Sequence, residues 1–177
     1  MKTLKQHINE ALKIGKDLSE WSVYSCQPKT EPELKEIIMN RIVKEGPYCD
    51  LNDIDVSLIK DMSYLFYESE FNGDISKWDV SNVENMYGMF TGSKFNNDIS
   101  EWNVGKVKNM NGMFRSSEFN KDISNWKINS TIGMISMFAE SKFNKDISNW
   151  KINKNCDTLY MFDKCPIKEE FKPKLPR

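Results

Sequence analysis

The chain has 177 residues, 39% of them hydrophobic and 29% charged, with a net charge of −1; five Trp, ten Phe and six Tyr exclude a disordered chain. So near-neutral a balance supplies no global field to draw nucleic acid or an anionic membrane, and no stretch approaches the ~20 apolar residues of a membrane span. The four cysteines, Cys26, Cys49, Cys156 and Cys165, show no C-x-x-C spacing, which fits reduced thiols rather than a disulfide framework.

At the N-terminal end Leu4, Ile8, Ala11 and Leu12 recur at helical spacing and Thr3 with Gln6 reads as a capping box, so the pattern predicts an amphipathic helix over residues 3–15. The same stretch has no apolar run of the secretory kind, and the expected localisation is cytoplasmic. After a link through Trp21, Val23 and Tyr24, the sequence Thr30-Glu31-Pro32-Glu33 supplies an N-cap, acidic residues for the positive end of a helix dipole and a proline in the first turn. A second helix is expected over residues 31–45, with Leu34, Ile37, Ile38 and Ile42 on its apolar face and Gly46 as its stop. Residues 1–46 form a helical leader and cap in this reading.

From residue 47 the wording repeats every 24 residues. Phe71, Phe95, Phe119 and Phe143 form one column, Trp78, Trp102, Trp126 and Trp150 another, and Asp74, Asp98, Asp122 and Asp146 a third, each followed by Ile and Ser. A fixed period in the twenties marks a solenoid whose units bury their apolar faces only against their neighbours. Residues 47–166 make five such units, the first and last degenerate, and residues 167–177 a C-terminal tail. Within a unit the pattern predicts strand, turn, short helix, turn: a parallel strand around Val107 to Met110, then one helical turn carrying Met110, Met113 and Phe114.

The polar columns suggest roles for themselves. Each Asp is placed to cap its own turn, a calcium stack being the alternative, and the Asn72, Asn96, Asn120, Asn144 column suits an internal amide ladder. The Trp column is either core or, if its indoles stand exposed, a platform for sugar rings. Acidic residues dominate residues 47–94 and basic ones residues 143–177, with Lys121 above Lys145 and Lys127 above Lys151 as the candidate interaction surface. Solvated charge is the plain alternative for these lysines.

The wording F-N-x-D-I-S-x-W-x-V-x-x-V-x-x-M-x-x-M-F closely resembles the BspA-type leucine-rich repeat, or mycoplasma-lipoprotein repeat, over residues 51–165. That resemblance implies an α/β solenoid, a leucine-rich-repeat-like right-handed coil that acts by binding other macromolecules, with no catalytic residues to carry over. Met1-Lys2-Thr3 leading into Ile8-Asn9-Glu10-Ala11 is similar to the capsid-targeting leader of internal phage proteins, which implies cleavage between Glu10 and Ala11 and a virion-associated protein.

The expected function is therefore a non-enzymatic, monomeric protein-protein interaction module, with no cofactor, catalytic or metal-binding residue assigned and neither nucleic acid nor membrane as partner. The phage protein and the glycan binder are the two alternatives. The sole histidine, His7, stands outside the repeats, and no nucleophile–base or phosphate-loop motif accompanies it.

Overall fold

A computed structural model of the chain describes residues 27–176. The expected helix over residues 3–15 and the processing pair Glu10 and Ala11 lie outside that range. Helix α1 spans Glu31–Glu45, starting and stopping where the sequence places its signals: the Thr30 hydroxyl accepts from the Glu33 N–H (3.4 Å), a proline opens the first turn, and the Gly46 N–H donates to the Ile42 carbonyl at φ 88. Leu34 and Ile38 are wholly buried in the core shared with the repeats, while Arg41 reaches the Asp53 carboxylate (2.7 Å) and the Asp50 carbonyl (2.8 Å). The helix is thereby fastened to the first repeat by an apolar face and by one arginine.

The repeats do not form the expected α/β solenoid of strands and short helices. Among the described residues α1 is the one α-helix, accompanied by a short 3₁₀ turn at Glu169–Phe171, and there is no strand or sheet. Successive coils touch instead through isolated parallel bridges, such as Asn85 to Asn109 and Asn109 to Gly133. The physical reason lies in the turns. Asp74, Asp98, Asp122 and Asp146 each accept from the backbone N–H two residues on (2.9 Å), closing an Asx turn where a strand would have to continue. Asp55, Asp79 and Asn103 close a second corner in the same manner, and Asp61, Asn85, Asn109 and Asp157 a third. Between the corners no run of described residues pairs into a continuous ladder.

The Met-x-x-Met-Phe segment likewise forms no helical turn. Gly112 and Ser116 hold φ of 62 and 55, and the Met113 and Arg115 N–H groups close i→i+3 turns onto the Met110 and Gly112 carbonyls. The left-handed residues aim alternate peptide N–H groups along the stack. Gly88, Phe90 and Gly92 donate to Asn111, Met113 and Arg115 of the next coil at 2.8–2.9 Å, and the same bonds recur at every junction from residue 62 to residue 140. Backbone donors are thus satisfied between coils by residues 23 apart.

Around this backbone the core is a set of aromatic ladders. Phe66, Phe90, Phe114, Phe138 and Phe162 stack at 5.4–5.8 Å with near-parallel planes, and Phe71, Phe95, Phe119 and Phe143 at 6.2–6.3 Å. The rings of Trp78, Trp102, Trp126 and Trp150 are buried, and each of these indole N–H groups donates to a carbonyl 27 residues back, as from Trp102 to Ile75 (3.1 Å). The backbone N–H groups of Asn96, Asn120 and Asn144 donate to the side-chain oxygens of Asn72, Asn96 and Asn120 in a ladder at 2.8–2.9 Å, which the Lys168 N–H extends to Asn144 at 3.3 Å. The register runs past residue 166: Ile167 is buried 24 positions after Phe143, and the Ile147 N–H donates to the Phe171 carbonyl (3.0 Å).

Candidate functional site

The double turn of each coil forms a ledge, and where its left-handed positions are glycine the ledge is bare backbone. Gly88, Gly92 and Gly112 take φ of 58, 66 and 62 there, while the first coil places Tyr64 and Glu68 at the corresponding positions with φ of 56 and 50. A groove of about 810 Å³ runs across four coils over this ground, between Tyr64, Tyr67 and Tyr87 at one end and Ile135 and Ser136 at the other. A Cβ added at Gly88 would stand 2.7 Å from the Tyr64 ring, so this glycine is required both by its φ and by the ring lying over it.

The tyrosines hold each other. Tyr64 meets Tyr67 and Tyr87 edge to face, at 5.5 and 4.9 Å between centroids, and a hydrogen bond with the Tyr87 phenol pushes the Tyr64 pKa up to about 12. A hydrogen bond to Glu68, aided by burial, raises that of Tyr67. Tyr87 is 38% exposed, an aromatic face open to solvent at the rim. Midway along, the Thr91 hydroxyl donates to the Gly112 carbonyl (2.6 Å), and the exposed Arg115 guanidinium makes no ion pair and no hydrogen bond among the described residues.

The sequence-expected lysines are all exposed but divide into two pairs. Lys121 and Lys145 share a shallow recess of about 590 Å³ with Asp122, Asp146, Ser124 and Ser148; Lys127 and Lys151 do not line it. Each pair stacks on neighbouring coils. The Asp column carries no shared ligand geometry, its carboxylates being turned to their own backbone, and the Trp column, 3–4% exposed, offers no ring to a sugar. Ion pairs do climb the stack: Glu118 lies between Lys94 (3.7 Å) and Lys142 (2.5 Å), and Glu84 between Lys60 (4.0 Å) and Lys108 (3.6 Å).

Reasoning from columns missed the groove because its residues break the columns. Tyr64 and Tyr87 stand at adjacent positions of the repeat and Arg115 occurs once. The available signal was the spacing of Gly88, Gly92 and Gly112 by 4 and 24 residues, which marks a bare strip along the stack.

A chain built from in-register 24-residue coils, capped by one helix and bearing an open groove along its ledge, is a repeat protein. It belongs to the family described as Mycoplasma protein of unknown function, DUF285, whose model matches residues 38–140 and 115–172. No curated protein and no solved structure matches the chain.

Proposed function

We propose that the chain works without catalysis, as a module that holds a protein partner on its coil surface. The observation that carries this reading is the groove across four coils, in which tyrosines and an arginine, the residue types that dominate binding hot spots, line a floor of fixed backbone. A floor held by hydrogen bonds at every coil junction loses little conformational freedom on binding, which favours affinity. The resemblance of the repeat wording to the BspA-type repeat supports the same reading, because that resemblance implies macromolecular binding.

Capture from extracts of the source cells tests it. The wild-type chain should retain a protein, and Tyr87→Ala should weaken retention while the chain stays folded, its melting temperature lowered only by the lost contact with Tyr64. Reversal of Lys127 and Lys151 to Glu serves as the comparison: loss in that variant with full retention by Tyr87→Ala would move the surface to the lysine columns. Absence of any retained protein would overturn the reading.

A further inference from the structure

We infer that the groove takes an extended peptide that sets an aromatic or large apolar side chain against Tyr64, Tyr67 and Tyr87 and an acidic side chain on Arg115; this rests on the protein-binding reading above. The charges decide the chemistry. Glu140 is bonded to the Ser116 hydroxyl (3.2 Å) and to Lys164 (3.4 Å), so the carboxylate beside the Ser116 end of the groove is already answered by a cation from within the chain. The Arg115 guanidinium, in the lining of the same groove, makes no ion pair and no side-chain hydrogen bond among the described residues, although its charge reaches Glu140. Its planar fork matches a carboxylate in a charge-assisted, two-bonded geometry.

The spacing decides the length. Tyr67 belongs to the first coil and Arg115 to the third, two coil steps along the stack, which is roughly 10 Å at the spacing of neighbouring extended backbones. A polyproline-II-like extended chain, rising about 3.1 Å per residue with three residues per turn, covers that in about three residues and keeps the two side chains on one face. The floor imposes the same shape, because the left-handed ledge positions Gly88, Gly92 and Gly112 present no side chain to an approaching backbone.

A set of octapeptides with a tyrosine at one position and Glu, Gln or Lys three residues later, titrated into the ¹⁵N-labelled full chain, tests this. Peptides bearing Glu should bind about tenfold more tightly than their Gln counterparts, with the largest shifts at the Gly88, Gly92 and Gly112 amides. Arg115→Gln should erase the preference for Glu while leaving the Gln peptides' affinity unchanged, and Tyr67→Ala should weaken all three series. Equal affinity for Glu and Gln peptides, shifts away from the three glycines, a preference that survives Arg115→Gln, or binding of an oligogalacturonate where no peptide binds would each overturn the inference. Retention of a cellular protein that persists undiminished in Arg115→Gln would overturn it while leaving the protein-binding reading intact.

Discussion

Ser136 holds φ 53 at the position that Gly112 and Gly88 occupy one and two coils earlier. A left-handed non-glycine residue is strained by roughly 1–2 kcal/mol, and the flexibility that glycine adds to the unfolded chain offsets roughly 0.5–1 of that. Ser136→Gly should therefore stabilise the chain by about 0.5–1 kcal/mol in thermal or denaturant melts, and Gly88→Ala should destabilise it, its Cβ meeting the Tyr64 ring. At the same scale, N–H bonds from Ser76 and Ser148 hold the Asp74 and Asp146 carboxyls below the usual range, and bonds from Ser57 and Ser81 do so for Asp55 and Asp79. A depressed folded pKa means that the unfolded chain takes up the proton first. This contribution is thus complete above the ordinary carboxylate value and lost as pH falls below about 4. Denaturation series between about pH 3 and pH 7 should show that acid limb, and Asp74→Asn, which preserves the turn acceptor, should make it shallower by one carboxyl's share.

Helix α1 was wholly legible, because Thr30, Pro32, Glu33 and Gly46 act locally and Leu34 and Ile38 follow one period. The repeat unit was half legible. Its Asp turns and Asn ladder follow from short-range side-chain chemistry at fixed offsets, and the structure shows both. Its expected strand and helical turn do not form, since the spacing of Met110, Met113 and Phe114 suits a pair of left-handed turns as well as a helix, and apolar periodicity does not report the sign of φ. Gly88, Gly92 and Gly112 carried that information. Burial of the Trp column makes Trp102→Ala cost about 3–5 kcal/mol in melts, through lost volume and the loss of one of the two hydrogen bonds to the Ile75 carbonyl. A loss under about 1 kcal/mol would place that ring outside the core.

For the molecule as a whole, coils that contact only their neighbours should tolerate loss of one full period. Deleting residues 95–118 brings Phe119 to follow Lys94 in register and should leave a folded, cooperatively melting chain, whereas deleting residues 95–117 slips every column by one and should not. The groove is a property of this scale too, since Tyr64, Tyr87, Arg115 and Ile135 meet only when four coils are in register. Residue-resolved hydrogen exchange tests that register most directly. The Ser136 and Glu140 amides donate to Leu159 and Asp163, whereas Tyr160 and Lys164, the same positions one coil later, have no backbone acceptor among the described residues. The stack predicts slow exchange at Gly88, Gly92, Ser136 and Glu140 and fast exchange at Tyr160 and Lys164; rapid exchange at Gly88 and Gly92, or protection at Tyr160 and Lys164 equal to that at Ser136 and Glu140, would contradict it.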